Sequence, residues 1–329
     1  MFAASDGNEE VVRMLLNRND VNPDTADTVY GRTPLSWAAW NGHEGVVRIL
    51  LERGDVKPNK ADKLNQTPLS WAAEKGNEGV VRMLLEQNDV KPNKADKWNQ
   101  TPLSCAAKNG HEGVVRMLLE RNDVNPDKAD KWNQTPLSWA ASNGHEGVVR
   151  MLLERNDVNA DTADSEYNRT PLWWAAKNGH DGVVRMLLER NDFNPDTADN
   201  WGQTPLSWAA ENGHEGVVRM LLERNEVNPD TADTVYGRMP LSWAAWNGHE
   251  GVVRILLERG DVNPNITDTG HGQTPLSWGA EYGHERIAKL LREAMDLGPK
   301  YQASLQSTDL FSPEPPEPSE PPSKRARRV

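Results

Sequence analysis

The stretch Thr33-Pro34-Leu35-Ser36-Trp37-Ala38-Ala39, followed by Asn41-Gly42-His43 and Val46-Val47-Arg48-Ile49-Leu50-Leu51, recurs seven more times almost unchanged. Its proline falls at residues 34, 68, 102, 136, 171, 205, 240 and 275, and we number the repeats one to eight by these prolines. Self-similarity at a fixed period of about 20–50 residues is the signature of a stacked solenoid. We therefore predict one elongated array, although 329 residues would otherwise suggest two or three globular domains.

The composition argues against several classes of protein. A net charge of −12 disfavours a general nucleic-acid binder, which needs an exposed basic surface. Cys105 is the single cysteine, so no disulfide can form within the chain, and we expect a reducing compartment, which is the cytoplasm or, as an alternative, the nucleus. The N-terminal stretch 1–10 does not resemble a signal peptide, and no apolar run is long enough to span a bilayer.

The second repeat illustrates the local structure that each unit predicts. Asn65 tolerates the left-handed backbone of a tight turn, Thr67 can cap a helix, and Pro68 suits the first helical position. Gly76 should end this first helix. A second helix is predicted over about 78–86, closed by Asn88, because its apolar residues follow a helical period. Two helices this short cannot bury their apolar faces alone, so stacking must supply the core.

These motifs resemble the ankyrin repeat, and the resemblance covers about residues 1–295. The matching residues are Gly31, Thr33-Pro34-Leu35, Ala38-Ala39, Gly42-His43, Val47, Leu50-Leu51 and Asp55-Val56. The resemblance implies an all-α solenoid of helix–turn–helix units joined by hairpin-like loops. Serine replaces the family's usual histidine after Thr-Pro-Leu, and Trp173 replaces it once. A tetratricopeptide array also repeats at about 34 residues, but it would not place a Thr-Pro break before every first helix.

Three segments follow from the register of the repeats. Residues 1–27 match only the second part of a unit, so we interpret them as a partial repeat and predict poor cover for Val11, Val12, Leu15 and Leu16; the chain could be a fragment of a longer repeat protein. Residues 28–297 form eight repeats, of which the last is a C-terminal cap with a charged outer face. Residues 298–329 are predicted to be a disordered tail, rich in proline and glutamate, with a basic end.

Two distant units are nearly the same. Residues 28–56 and 234–262 differ only at Thr33 and Met239, which indicates recent duplication within the array. Since methionine has no side-chain oxygen to cap a helix, Met239 should weaken that helix start by about 1 kcal/mol.

No arrangement of residues indicates catalysis, and we expect no enzyme activity, cofactor, metal or small-molecule ligand. The chain has neither a nucleophile elbow nor a glycine-rich phosphate loop. Cys105 takes the place of a tryptophan and is interpreted as a small core residue. His271 is expected to be exposed in a hairpin. The other histidines hold the Gly-His place of the family, where they are expected to cap or bridge the helix pair: His43, His111, His145, His180, His214, His249 and His284.

The tryptophans fall into two groups. Those beside the Ala-Ala pair recur at one fixed place and are predicted to be core residues: Trp37, Trp71, Trp139, Trp174, Trp208, Trp243 and Trp278. In ankyrin repeats the hairpin tips and the first-helix surface form a concave binding face. The residues that this resemblance places there are Tyr30, Trp40, Leu64, Trp98, Trp132, Tyr167, Trp173, Trp201, Tyr236 and Trp246. They would either contact a partner or pack between adjacent hairpins, and the sequence leaves both open.

The sequence therefore predicts a non-catalytic scaffold that binds another protein, with no nucleic-acid, membrane or small-molecule partner. One alternative is a nuclear regulator that docks on a transcription factor, with an import signal at Lys324, Arg325, Arg327 and Arg328. Another is the sensing fragment of a NACHT-type receptor, since the near-identical repeats resemble fungal ankyrin arrays. A third is the substrate-targeting subunit of an enzyme.

Overall fold

The computed structural model describes residues 1–18, 20–190 and 192–297, with only the backbone of Leu297. The predicted tail, 298–329, lies outside the described residues. Within them the chain forms eighteen helices and no strand. The helices are α1 (Phe2–Ser5), α2 (Glu9–Leu16), α3 (Pro34–Asn41), α4 (Glu44–Glu52), α5 (Pro68–Lys75), α6 (Glu78–Leu85), α7 (Pro102–Asn109), α8 (Glu112–Leu119), α9 (Pro136–Asn143), α10 (Glu146–Leu153), α11 (Pro171–Asn178), α12 (Asp181–Leu188), α13 (Pro205–Glu211), α14 (Glu215–Leu222), α15 (Pro240–Asn247), α16 (Glu250–Glu258), α17 (Pro275–Glu281) and α18 (Glu285–Leu297).

Local side-chain chemistry sets the limits of the first helices, as predicted. In α5 the Thr67 hydroxyl accepts the Ser70 N–H at 3.1 Å, and the Thr67 N–H donates to the Ser70 hydroxyl at 3.4 Å. Gly76 then ends the helix with a left-handed φ of 72°. The second helix, α6, stops at Leu85 with Glu86 as its C-cap, so the prediction that Asn88 closes it was wrong. Met239 caps nothing, as expected.

The repeats stack in two layers, with first helices against first helices and second helices against second helices. Small residues line the first layer, where Ala72 and Ala73 have no exposed surface and allow the helices to approach closely. Larger residues, such as Val80 and Leu84, fill the second layer and are also fully buried. Each fully buried leucine side chain stabilises the fold by about 1.5–3 kcal/mol relative to an exposed one. The predicted helix–turn–helix solenoid is confirmed, and its core runs continuously through all the repeats.

The recurring histidines join one repeat to the one before it. His145 Nε2 lies 3.0 Å from the carbonyl oxygen of Lys108, at the end of the preceding first helix. The same contact is made by His43, His111, His180, His214, His249 and His284. These rings were expected to cap or bridge the helix pair. Capping was wrong for six of them, since the side chains of His43, His111, His145, His180, His214 and His249 do not cap the second helix. The rings instead bridge one repeat to the preceding one. A Cβ on Gly110 would lie 2.6 Å from His145 Nδ1, so the close approach requires glycine.

The two ends of the array differ in how well they are covered. Near the start, Val11 and Leu15 are exposed, whereas Val12 is buried and Leu16 is half-buried, so the prediction of poor cover was correct for two of the four. At the other end, α18 buries Ile287 and Leu291. Its charged residues, among them Arg286, Lys289 and Arg292, face solvent. This helix has the charged outer face predicted for a cap.

Candidate partner-binding face

An aspartate holds each hairpin in shape. Asp130 Oδ1 accepts the backbone N–H groups of Trp132 and Gln134, each at 2.9 Å, and its Oδ2 accepts the indole N–H of Trp139 at 3.2 Å. The hairpin therefore keeps one conformation and presents its tip residue at a fixed place. The equivalent carboxylates are those of Asp27, Asp62, Asp96, Asp164, Asp199, Asp233 and Asp268.

The recurring tryptophans are not all core residues. Trp71, Trp243 and Trp278 are buried, as predicted. The prediction was wrong for the remaining four, which are half-buried: Trp37, Trp139, Trp174 and Trp208.

Hydrogen bonds connect the hairpin tips in a row. The N–H of Lys131 donates to the carbonyl of Trp98, the tip of the preceding hairpin, at 2.9 Å. The same bond joins every successive pair of hairpins from repeat one to repeat eight. We call the tip residues the tip row: Tyr30, Leu64, Trp98, Trp132, Tyr167, Trp201, Tyr236 and His271. Their backbones are fixed at a regular interval, and so the row is a preformed surface.

The predicted binding residues differ in their exposure. Tyr30, Trp201 and Tyr236 are 53%, 40% and 42% exposed. His271 is exposed, as expected. The other predicted residues, apart from Trp173, are half-buried: Trp40, Leu64, Trp98, Trp132, Tyr167 and Trp246. The predicted import residues, Lys324, Arg325, Arg327 and Arg328, lie outside the described residues.

Trp173 does not belong to this surface. Its side chain has no exposed area, so the expectation that it lies on a binding face was wrong. It takes the position that serine occupies in the other repeats and packs edge-on against Trp174 and Trp208, with ring centroids 5.0 and 5.1 Å away. Its indole N–H reaches Asp199 Oδ2 at 3.3 Å, and so it links two repeats internally.

Arg32 lies inside an aromatic cage between repeats one and two. Its guanidinium carbon is 3.8 and 3.9 Å from the ring centroids of Trp40 and Trp71, and 4.8 and 5.0 Å from those of Trp37 and Tyr30. Arg32 Nε lies 3.6 Å from Asp62 Oδ2 of the next repeat, and both side chains are buried. Burial lowers the pKa of the Arg32 guanidinium, while the Asp62 carboxylate opposes that shift. Desolvated cation–π contacts of this kind stabilise by about 2 kcal/mol or more.

A second cage surrounds Arg238 between repeats seven and eight. Its guanidinium carbon is 4.1 and 4.3 Å from the ring centroids of Trp246 and Trp278, and Asp268 lies 3.7 Å from Arg238 Nε. In both cages a first-helix tryptophan, Trp40 or Trp246, packs against the tryptophan of the next repeat. Trp40 and Trp246 therefore pack between adjacent repeats, which is one of the two roles that the sequence left open.

Cys105 stands where most other repeats carry the tryptophan beside the Ala-Ala pair, so repeat three has no indole to contact its hairpin aspartate. It is buried, and burial raises the pKa of its thiol to about 12, which leaves almost no thiolate at neutral pH. In the absence of an indole, Asp96 Oδ2 has no hydrogen-bond partner among the described residues. Burial also raises the pKa of Asp96. Cys105 thus has the environment of a small core residue, and the unpartnered carboxylate follows from its replacement of tryptophan.

The described part of the chain lacks two further kinds of feature. It contains no group of three or more His, Cys, Asp or Glu side chains arranged to hold a metal ion. None of its helices combines the length and apolar character needed to cross a membrane.

The stacked helix pairs, the hairpins between them and the tip row define an α-helical repeat solenoid. A sequence profile described as ankyrin repeats (3 copies) matches the chain at residues 1–62, 54–130, 88–164, 122–199, 156–233, 191–268 and 225–301. The chain therefore belongs to the ankyrin-repeat family. Ankyrin repeats are generally protein–protein interaction modules, and the family is typically non-catalytic. No curated protein matched the chain in a sequence search.

Proposed function

We propose that this protein is a non-catalytic scaffold that binds a protein partner along its tip row and the adjoining first-helix surface. The observation that carries the proposal is the tip row itself, in which hydrogen-bonded hairpins hold aromatic side chains at successive repeats. Aromatic residues on a rigid surface lose little conformational freedom on binding, and they are enriched among the residues that contribute most to interfaces.

The aromatic residues divide into two groups by their contacts. Trp40 and Trp246 are engaged in the cages of Arg32 and Arg238, so their main contribution is to the join between repeats. The tip residues Trp98, Trp132 and Trp201 are the better candidates for partner contact, because each retains exposed surface at the end of a fixed hairpin.

Affinity capture with the full chain tests this assignment. The test variant carries alanine at Trp98, Trp132 and Trp201, and a hot-spot aromatic contributes about 2 kcal/mol or more to binding, so affinity for the captured partner should fall at least about thirtyfold.

The matched control carries alanine at three exposed second-helix residues, Arg82, Arg116 and Arg150. It should bind as the unmodified chain does, and thermal unfolding should show both variants folded. Recovery of the same proteins at the same affinity by the two variants would rule out the tip row as the binding face.

The basic C-terminal end supports one further candidate, a scaffold that works in the nucleus as well as in the cytoplasm. Residues 324–329 contain four basic residues, a composition typical of nuclear import signals. Deleting them from a tagged protein should reduce nuclear accumulation. An unchanged distribution would count against import through this segment.

A further inference from the structure

Charge is distributed unevenly along this acidic chain. Residues 57–131 contain thirteen Lys and Arg against eleven Asp and Glu, whereas residues 132–297 contain fourteen against twenty-five. Ten of the fourteen lysines lie within 57–131. The hairpins of repeats two to four are therefore a locally basic region in a protein of net charge −12.

Three of these lysines stand beside the tip row. Lys63, Lys97 and Lys131 are exposed, and each directly precedes a tip residue. Lys97 Nζ lies 4.9 Å from the ring centroid of Trp98, and Lys131 Nζ lies 4.3 Å from that of Trp132. We call Lys63, Lys97 and Lys131, with the two tryptophans, the lysine strip. Among the described residues, no carboxylate lies within ion-pairing distance of these three ammonium groups, although the Lys63 ammonium donates to the carbonyl oxygen of Thr28 at 2.6 Å.

The strip repeats at a short, regular interval. The Lys97 N–H donates to the carbonyl of Leu64 at 3.0 Å, and the Lys131 N–H donates to that of Trp98, so the three hairpins are direct neighbours. Packed helices lie about 8–10 Å apart, and the lysines should therefore recur at about that spacing. An occupant that matches the strip would carry one negative charge every 8–10 Å or so, with apolar groups in between to cover the indoles.

One segment of this chain has that pattern. Glu314, Glu317 and Glu320 recur at every third residue, and prolines stand at positions 313, 315, 316, 318, 321 and 322. A polyproline II helix has three residues per turn and rises about 3.1 Å per residue, so these glutamates would lie on one side about 9 Å apart. Proline-rich segments in this conformation dock on aromatic side chains at low entropic cost.

We propose that residues 312–322 bind to the lysine strip of the same chain as a polyproline II helix. Glu314 pairs with Lys131, Glu317 with Lys97 and Glu320 with Lys63, while prolines cover the indoles of Trp98 and Trp132. The proposal rests on the proposed function in treating the tip row as a binding surface, and it assigns to that surface an internal occupant that a partner would have to displace.

The length of the chain permits this placement. Residues 298–313 separate the last described residue from Glu314 and can span about 55 Å when extended. The hairpin of Lys131 lies four repeats before that of repeat eight, or about 40 Å at the spacing of packed helices. In this direction the basic end, Lys324–Val329, continues toward residues 1–56, which contain nine Asp and Glu against five Lys and Arg. Charge complementarity therefore holds for both halves of the tail.

Zero-length carbodiimide cross-linking of the full chain tests the proposal. The reagent joins a carboxylate to an amine only where the two are in contact, and peptide mass spectrometry identifies the joined residues. We expect links from Glu314, Glu317 and Glu320 to Lys131, Lys97 and Lys63 in that order, with yields that fall in high salt because exposed ion pairs are screened. A mixture of isotopically labelled and unlabelled chains should give links within single copies.

A pair of variants isolates the contribution of the indoles. Trp98→Ala with Trp132→Ala leaves every charge in place and should lower the yield of these links severalfold, whereas Trp201→Ala, a tip residue outside the strip, should leave it unchanged. Circular dichroism confirms that each variant is folded. The proposal would be overturned by tail links that favour other lysines, such as Lys57 or Lys91, or by the absence of tail links. Links found only between copies would also overturn it, because the strip would then bind the tail of a second chain. None of these outcomes depends on partner capture, so the scaffold function would stand or fall separately.

Discussion

Residues 28–56 and 234–262 are almost the same sequence placed at two sites in the array, and they do not have the same structure in detail. Trp37 is half-buried and donates its indole N–H to Asp27 Oδ2 at 3.2 Å. Trp243, its counterpart, is buried, and its indole nitrogen has no partner among the described residues. The helices themselves, α3 and α15, begin and end at equivalent residues.

This difference shows which structural features depend on a repeat's own residues and which depend on its neighbours. The second hairpin follows another one, and its Thr234 N–H donates to the carbonyl of Trp201 at 2.7 Å. The first hairpin has none before it in the described residues. Helix limits therefore follow from the repeat's own residues, whereas burial and side-chain pairing depend on the adjoining unit. This is expected for an array in which each unit contacts only its neighbours.

The largest effect should come from emptying the aromatic cages. Arg32→Ala and Arg238→Ala each remove one partner of a buried ion pair, so each should lower the free energy of unfolding by about 3–5 kcal/mol. Urea denaturation provides the measurement. Equal losses would show that the cage is a property of the repeated sequence, whereas unequal losses would trace it to the neighbouring repeats. A loss below about 1 kcal/mol at both sites would contradict a stabilising role for the cages.

An intermediate effect is expected at the one repeat that lacks its tryptophan. Cys105→Trp supplies an indole N–H to the unpartnered Asp96 Oδ2 and should stabilise the protein by about 1–3 kcal/mol. The comparison is fair because Trp71 and Trp139 occupy the same place in the adjoining repeats.

The pH dependence of this gain has a definite sign. Because burial raises the folded-state pKa of Asp96, the unpartnered carboxylate destabilises the protein at neutral pH, and this cost disappears as the pH falls through that pKa. The gain from Cys105→Trp should therefore be larger near pH 7 than near pH 4, as measured by thermal unfolding at both. Cys105→Leu, which adds volume but no donor, is the control, and a gain of the same size and pH dependence there would exclude the hydrogen bond as the cause.

The smallest effect concerns the single difference between the two similar repeats. Thr33 accepts the Ser36 N–H at 3.1 Å, whereas Met239 makes no such bond and the Ser242 hydroxyl has no partner among the described residues. Met239→Thr should therefore stabilise the protein by about 1 kcal/mol, and Thr33→Met should destabilise it by a similar amount. Thermal denaturation of both variants is the test. Shifts of the same sign would show that the capping residue does not account for the difference.

Helix limits and hairpin turns could be predicted from the sequence, because they depend on groups close together in the chain. Thr67 and Gly76 act as expected, and Asn65 takes the predicted left-handed turn with a φ of 63°. The hairpin aspartates could also have been identified from the sequence, since one stands six or seven residues before every repeat proline. Their role in holding the hairpins by hydrogen bonds was not predicted.

The candidate site was harder to predict because exposure there depends on contacts between repeats. Trp173 resembles the other additional aromatics in the sequence, yet Trp208 and Asp199 of the following repeat enclose it. The cage around Arg32 likewise needs a tryptophan eight residues later in its own repeat and another, Trp71, from the next. The spacing of residues within a single repeat does not indicate these contacts between repeats.

Every junction in the row of hairpins has the same polarity, with an amide hydrogen on one side and a carbonyl oxygen on the other. A unit copied from one place would therefore find a matching neighbour wherever it was inserted, as the twin segments 28–56 and 234–262 suggest. Unequal recombination could lengthen or shorten such an array by whole units without leaving a broken junction. The backbone chemistry would stay constant while each exchange reshuffled the order of side chains, which is a rapid way to evolve a new specificity.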